Sequence, residues 1–117
     1  MSKHGVTEFL ALFADVGTTF FDIESDLLIV LDGQGGIERV NPAFERTLDR
    51  IESEVLRVPI IQLIDANDWA KFIRGFTEIH PEAVRMLRKG NGDVLVRLVA
   101  CRFKGGRGFI VLRKVMG

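Results

Sequence analysis

The chain has 117 residues, enough for one domain with a single hydrophobic core and too few for two. Its sixteen basic and sixteen acidic residues cancel, so no net field attracts it to nucleic acid or to an anionic membrane. A single cysteine, Cys101, excludes an intramolecular disulfide framework. The sequence shows no signal-peptide core and no apolar run of about 20 residues. These features together predict a cytoplasmic domain.

The first predicted element is an amphipathic helix close to the N-terminus. Its apolar residues recur every three or four positions, which is the spacing of one helix face; they are Val6, Phe9, Leu10, Phe13 and Val16. This stripe contains many large apolar residues for a short helix, so we expect it to dock on a larger surface and to form a dimer interface. We assign residues 1–24 to a flanking helix and its connector, and residues 25–117 to the domain itself.

Two strands follow, joined by a glycine-rich bend. The apolar run at 27–31 predicts a strand covered on both faces, and the alternation at 37–40 predicts a half-buried strand. Gly33, Gly35 and Gly36 lie between them, without the spacing of a phosphate-binding loop and with a strand rather than a helix after them. We therefore interpret the glycines as a hairpin bend that uses positive φ, with a phosphate cradle as the less favoured alternative.

Short helices and then three strands are predicted in the rest of the chain. Asn41 and Pro42 suit the cap and the first position of a helix. Pro59 breaks the helical signal after it, and Asp65 or Asn67 is suited to capping a further helix. Strands are predicted at 83–88, 94–103 and 109–115, the last two joined by a glycine-rich hairpin turn. This order of elements predicts an α+β fold.

The middle one of these three strands is apolar on both faces. Alternation places Val94, Val96, Leu98 and Ala100 on one face and Leu95, Val99, Cys101 and Phe103 on the other. Both faces therefore need cover. We expect the short helices to cover one face, and the N-terminal helix or a second subunit to cover the other.

The segment LLIVLDGQGGIERVNPAFERTL, with the elements after it, resembles the PAS sensor domain family. The positions that match the family pattern are Asp32, Gly33, Ile37, Asn41, Pro42, Ala43 and Phe44. The resemblance extends over about residues 27–115. It implies a five-stranded antiparallel sheet with a cluster of short helices on one face, a ligand pocket between them, and an N-terminal flanking amphipathic helix. Asp49 stands where the family often has glycine, and so does a residue near Arg57.

The resemblance also indicates which residues would line the pocket. The candidates are Phe44, Leu48, Ile61, Trp69, Phe72, Ile73, Phe76 and Arg97. Two interpretations of the aromatic helix face stay open, a self-filled core and an apolar cavity for a small molecule. Arg97 interrupts an apolar strand and either lies at the sheet margin, pairs with a carboxylate, or binds an anionic ligand.

Cofactors of the family have little support in the sequence. Some PAS sensors hold haem through a histidine on the long helix, where Trp69 stands here, and His80 lies beyond that helix. A photoreactive branch uses a helical cysteine with flavin, whereas Cys101 falls on a predicted strand. We expect no cofactor, with haem through His80 or noncovalent flavin as the alternatives. We expect no metal site and no catalytic residue, and hence a regulatory domain rather than an enzyme.

These observations predict a cytoplasmic sensory or interaction domain of a signal-transduction protein, such as a two-component sensor kinase, a cyclase or a transcription regulator. It would transmit ligand- or partner-induced changes through a homodimer formed by the N-terminal helix and the outer sheet face. We expect no contact with nucleic acid or a membrane. A ligand-free interaction or dimerisation module is the main alternative, and a haem- or flavin-based redox or gas sensor is the other.

Overall fold

The computed structural model describes residues 26–115. They form one curled five-stranded antiparallel sheet, with the strands in the order β2-β1-β5-β4-β3. The strands are β1 (Asp26–Leu31), β2 (Ile37–Val40), β3 (Val84–Leu87), β4 (Asp93–Lys104) and β5 (Arg107–Lys114). The predicted α+β class and the five-stranded sheet are confirmed. The predicted N-terminal flanking helix and its dimer stripe lie outside the described residues.

The short helices lie between β2 and β3. They are α1 (Pro42–Leu48), α2 (Glu52–Val55) and α3 (Trp69–Gly75), with two 3-10 turns at Ile60–Leu63 and Ala66–Asp68. The predicted break at Pro59 is confirmed, because this residue immediately precedes the first 3-10 turn. Asp65 is indeed a cap, but its side chain accepts from the amide of Asn67 in the second turn rather than in α3.

The hydrophobic core lies between these helices and one face of the sheet, which we call the helix side; the opposite face is the outer face. Leu27, Ile29 and Leu31 of β1 belong to this core, together with Ile110 and Leu112 of β5. Side chains alternate along a strand, so Leu28 and Val30 point to the outer face. The helices contribute Phe44, Leu48, Val55 and Phe72 to the same core. The helices thus cover one face of the sheet, as expected.

A β-bulge in β4 changes which residues face the helices. Leu98 pairs with Leu112, but Ala100 pairs with Val111, so one extra residue is accommodated at Val99. A bulge of this kind shifts the alternation of side chains by one position. The prediction that Cys101 and Phe103 share a face with Leu95 and Val99 was therefore wrong, because beyond the bulge both residues lie on the helix side.

Candidate functional site

The junction between β2 and α1 is organised by Asn41, which is fully buried. Its Oδ1 accepts from the amide of Phe44 at 3.0 Å, which is the predicted helix cap, and from the amide of Leu28 at 3.0 Å. Its Nδ2 donates to the carbonyl oxygen of Asp26 at 2.9 Å. One side chain thus caps α1 and extends the hydrogen bonding of β1 beyond the end of β2. Pro42 occupies the start of α1, as predicted. Asn41 is a structural residue.

The glycine bend between β1 and β2 binds its own aspartate. Asp32 Oδ1 accepts from the amides of Gln34 at 2.8 Å and Gly36 at 2.9 Å, and the Asp32 carbonyl accepts from the amide of Gly35 at 3.2 Å. Gly35 has φ 85°, the left-handed conformation that glycine adopts without strain. Three amides that a phosphate would need are already bound, so the structure supports the hairpin interpretation of Asp32 and Gly33 over a phosphate cradle.

The pocket candidates occupy different depths on the helix side. Phe44, Leu48 and Phe72 are buried in the core, and Ile61 and Phe76 are half-buried at its margin. Trp69 and Ile73, one turn apart on α3, remain 44% and 55% exposed. α3 therefore buries one side in the core and exposes apolar side chains on another.

An aromatic row continues from α3 across to β4. The rings of Phe72 and Phe76 meet edge to face with centroids 5.1 Å apart, and those of Phe76 and Phe103 do so at 5.5 Å. Exposure increases along the row, from buried Phe72 to Phe103, which is 58% exposed. Sequence reasoning missed Phe103 because simple alternation placed it on the other face. No signal in the sequence marks the bulge that brings it here.

The start of α3 is attached to β3 by a buried aspartate. Asp68 is buried and accepts from the backbone amide of Arg85 at 2.9 Å and from its guanidinium Nε at 3.1 Å. Lys71 Nζ lies 3.8 Å from the other carboxylate oxygen. The hydrogen bond from the Arg85 side chain holds the pKa of Asp68 below its usual range, against the opposing effect of burial. This attachment positions α3, whereas the sequence alone shows Asp68 only as an acidic residue near a helix start.

The two carboxylates in the first turn of α2 are also engaged in structure. Glu52 accepts from the amide of Val40 at 2.9 Å, and Glu54 accepts from the amide of Ile51 at 3.2 Å and binds Lys89. Hydrogen bonding to Lys89 lowers the pKa of Glu54. These carboxylates satisfy backbone amides rather than forming an acid–base pair.

Arg97 lies on the outer face and not between the helices and the sheet. In the strand register, Arg97 of β4 lies opposite Arg113 of β5. The Arg113 guanidinium donates two hydrogen bonds, at 3.0 and 3.1 Å, to the carboxylate of Asp26 in β1. Arg97 lines a groove of about 410 Å³ together with Val99, Arg113, Lys114 and Val115. Any anion bound by Arg97 would therefore lie on the outer face.

The residues present do not fit the cofactor sites that the resemblance implies. The indole of Trp69 donates to the carbonyl oxygen of Ile64 at 2.9 Å and cannot ligate iron, and His80 is exposed. Cys101 is on β4, and burial raises the pKa of its thiol. Within residues 26–115, no group of three or more His, Cys, Asp or Glu side chains is placed to hold a metal ion.

No helix in the described part of the chain has the length and apolar character to span a bilayer. The predicted dimer stripe, Val6, Phe9, Leu10, Phe13 and Val16, lies outside the described residues.

Comparison with known proteins identifies the fold. No protein-family model and no curated protein matches the chain, whereas solved structures do. The PAS domain of an HTR-like protein from Haloarcula marismortui has a TM-score of 0.60 and 25% identity, covering 93% of this chain and 97% of that one. The PAS domain of nitrogen regulation protein NR(II) from Vibrio parahaemolyticus has a TM-score of 0.59 and 15% identity, covering 86% and 99%.

A larger protein contains a similar unit. The chromophore-binding domain of a bacteriophytochrome from R. palustris has a TM-score of 0.63 and 18% identity; the match covers 76% of this chain and 30% of that one. The resemblance that the Asn41-Pro42 segment suggests thus extends to the three-dimensional structure. The chain has a PAS-like fold.

Proposed function

We propose that this chain is a sensory or interaction domain of a signal-transduction protein, such as a sensor kinase, a cyclase or a transcription regulator. The PAS domain of a nitrogen regulation protein and the chromophore-binding domain of a bacteriophytochrome share its fold. The observation that carries the proposal is that both faces of the sheet carry apolar side chains. The helices cover one face, and the exposed β4 part of the other face, with Leu95 and Val99, offers a surface for a partner. In this role the chain is regulatory, and catalysis belongs to an output domain.

The mechanism is a change in packing that passes through the sheet. A ligand or partner alters the contacts of the short helices, and the sheet transfers the change to the N-terminal helix and a second copy of the chain. Such coupling needs an element with two arrangements. α3 is suited to this part, because Asp68 fixes its first turn while Trp69 and Ile73 stay partly exposed. The cytoplasm is the proposed location.

Light scattering tests the dimer. We expect the full chain to be a dimer at high micromolar concentration and Phe9→Glu to be a monomer, because a buried charge on the stripe is costly. Ala11→Glu is the matched control, since helical spacing places residue 11 away from the stripe, and it should remain a dimer. A monomeric parent chain, or a Phe9→Glu dimer, would contradict the proposed interface.

A small apolar ligand beside α3 is a second candidate, favoured by the exposed apolar side of that helix. Its lining would come from Ile61, Trp69, Ile73 and Phe76, above the buried Phe44, Leu48 and Phe72. Native mass spectrometry of the freshly purified chain would show the mass of a retained ligand. The single tryptophan, Trp69, gives a fluorescence signal for titration of candidates. An absorption band above the aromatic region would instead indicate a haem or flavin chromophore.

A further inference from the structure

One stretch of β4 has a free edge, although the strand lies between two others in the sheet order. β5 pairs with β4 as far as Lys104, whereas β3 pairs with it only over residues 93–96. Among residues 26–115, no backbone hydrogen bond joins the segment at 77–83, which precedes β3, to the remainder of β4. The end of β4 beyond the bulge therefore has a neighbouring strand on its β5 side only.

The hairpin turn determines which backbone groups face that free edge. Two glycines at 105–106, with φ 60° and 77°, form the tight turn between β4 and β5. Lys104 and Arg107 close this turn, and the closing pair of a two-residue hairpin exchanges both of its hydrogen bonds. Bonded and non-bonded pairs alternate away from the turn. The amide and carbonyl groups of Phe103 and Cys101 therefore face away from β5.

Hydrogen bonds on the other side of the sheet give the same alternation. The amide of Leu28 donates to the side chain of Asn41, and its carbonyl accepts from the Asn41 amide. The backbone groups of Leu28 therefore face β2 and not its β5 partner, Val111. Those of Val111 then face β4, where the paired residue is Ala100. Since successive residues of a strand alternate, the backbone groups of Cys101 again face the free edge.

The side chains of the free edge divide into an apolar and a basic set. Phe103 lies on the helix side, 58% exposed, with its ring against that of Phe76. Arg102 and Lys104, on either side of it in sequence, are exposed on the outer face. Within the described residues, neither of these two side chains forms a hydrogen bond or an ion pair. The edge thus offers backbone donors and acceptors between an aromatic surface and two uncompensated cations.

An added strand must match this alternation. Its residues opposite Cys101 and Phe103 would lie on the helix side, beside the exposed ring. Its residues opposite Arg102 and Lys104 would lie on the outer face. Apolar side chains suit the first set of positions and carboxylates suit the second. The complement of the edge is therefore an extended segment in which acidic and apolar residues alternate.

A second copy of β4 does not match the edge. A two-fold pairing centred on Arg102 would place this residue opposite its own equivalent. A pairing centred on Phe103 would place Arg102 opposite Lys104 of the other copy. Like charges directly opposite each other destabilise a strand pair. Basic residues on an edge strand also oppose pairing with neutral strands, so charge favours an acidic partner.

We propose that the edge of β4 at residues 101–104 binds an extended acidic segment of a partner protein as a further strand of the sheet. The backbone groups of Cys101 and Phe103 hold the segment, and Arg102 and Lys104 select its charge. The inference deepens the proposed function, because it names a class of partner for the interaction domain, and it rests on that function for a role in signalling.

Fluorescence polarisation with the full chain tests the selection by charge. The probe is a labelled peptide in which glutamate and valine alternate, and a peptide that alternates lysine and valine is the control. We expect the acidic peptide to bind saturably and at least tenfold more tightly than the basic one. Arg102→Glu with Lys104→Glu should reverse this order. Arg88→Glu with Lys114→Glu, the same change of net charge at exposed positions elsewhere, should leave the affinity for the acidic peptide within threefold.

Backbone methylation distinguishes strand pairing from attraction between charges alone. In an antiparallel pair, valines opposite Cys101 and Phe103 exchange hydrogen bonds with them, whereas the glutamate amides point away from β4. We expect a peptide N-methylated at its valines to lose at least tenfold in affinity, and one N-methylated at its glutamates to stay within threefold of the unmodified peptide. Equal affinity of the two methylated peptides would overturn the proposal, and so would a preference of the parent chain for the basic peptide.

Light scattering with and without the acidic peptide separates this inference from the proposed dimer. A monomer that binds the peptide contradicts the dimer and retains the strand-binding edge. A dimer that does not bind it contradicts the edge and retains the dimer. A dimer that the peptide dissociates would place a second copy on the edge of β4 and would overturn the assignment to an acidic partner.

Discussion

The first and last helices of the described chain are attached to the sheet in contrasting ways. α1 starts at Asn41, a fully buried residue whose side chain makes hydrogen bonds to β1 and to α1. α3 starts after Asp68, also buried, but its main side-chain partner Arg85 is 45% exposed. The attachment of α1 is neutral and enclosed, whereas that of α3 is charged and open to solvent on one side.

The difference extends to the residues beyond each attachment. The apolar side chains of α1, Phe44 and Leu48, are completely buried, whereas α3 buries Phe72 and leaves Trp69 and Ile73 partly exposed. Local opening is easiest where few apolar contacts must be broken. α1 with β1 and β2 is therefore the fixed half of the domain, and α3 with β3 is the half where a ligand or partner can change the packing.

Asn41→Ala should give the largest effect, because it tests the fixed half directly. The substitution removes the α1 cap and leaves the Leu28 amide and the Asp26 carbonyl without that partner. A lost cap costs about 1 kcal/mol, and each buried polar group left unsatisfied costs about 1–3 kcal/mol. We expect a loss of about 3 kcal/mol in the free energy of unfolding, measured by urea denaturation. Asn67→Ala, at an exposed position, is the control and should change it by less than about 0.5 kcal/mol.

The same measurement can contradict the assignment of α1 to the fixed half of the domain. If Asn41→Ala were as stable as Asn67→Ala, α1 would not be held by its cap. The distinction between the fixed and the adjustable half would then lose its physical basis.

Asp68→Asn should give a smaller effect that depends on pH. The pKa of Asp68 in the folded chain is lowered, so the unfolded chain binds the proton more readily than the folded one. Stability therefore increases with pH between the lowered native pKa and the ordinary pKa of the unfolded chain. The stabilising contribution is complete well above the ordinary aspartate pKa of about 3.9 and disappears as the pH falls through the lower native value. At pH 7 we expect Asp68→Asn to cost about 2 kcal/mol, typical of a hydrogen bond to a charged group.

Thermal unfolding of the parent chain and of Asp68→Asn between pH 2 and pH 7 checks this prediction. The difference in melting temperature should shrink towards zero as the pH approaches the lower limit, since Asp68 is then protonated in both states of the parent chain. Lys71→Gln, which leaves the Arg85 contacts intact and removes only the longer contact at 3.8 Å, is the comparison and should lower the melting temperature much less than Asp68→Asn. A difference that is constant with pH would contradict an ionised Asp68 as the attachment of α3.

The fixed half is also the part that the sequence predicts best. The glycine bend, the Asn41 cap and Pro42 at the start of α1 depend on residues within a few positions of one another, and local preferences determine them. Strand β4 is harder, because the bulge at Val99 interrupts its pairing with β5, the next strand of the hairpin, and no residue pattern marks that position. The bulge reverses the side on which Cys101 and Phe103 lie and was not predictable from alternation.

The pocket candidates show the same limit. The helical spacing of Trp69, Phe72, Ile73 and Phe76 predicts a single aromatic face, but α3 lies across β3 so that only part of that face is buried. Arg85 is the partner of Asp68 only because β3 passes beside α3. A residue 17 positions away in sequence could not be identified as that partner from local pattern.

Arg57→Gly tests whether the loop that is hydrogen-bonded to β2, beside the fixed half, carries backbone strain. Asp49 and Arg57, at or near positions where the family often has glycine, are the non-glycine residues of the described chain with positive φ, at 55° and 68°. The left-handed region costs an ordinary residue about 1–2 kcal/mol, and added freedom of the unfolded chain offsets about 0.4–1 kcal/mol for glycine. We expect Arg57→Gly to raise the free energy of unfolding by about 1 kcal/mol.

Two further variants serve as comparisons. Asp49→Gly should gain less stability, because aspartate tolerates this conformation, and Ser53→Gly within α2 should lose stability. Urea denaturation of the three variants decides the matter: if Arg57→Gly ranked with Ser53→Gly, other contacts of Arg57 would outweigh its strain, and the loop beside the fixed half would be relaxed.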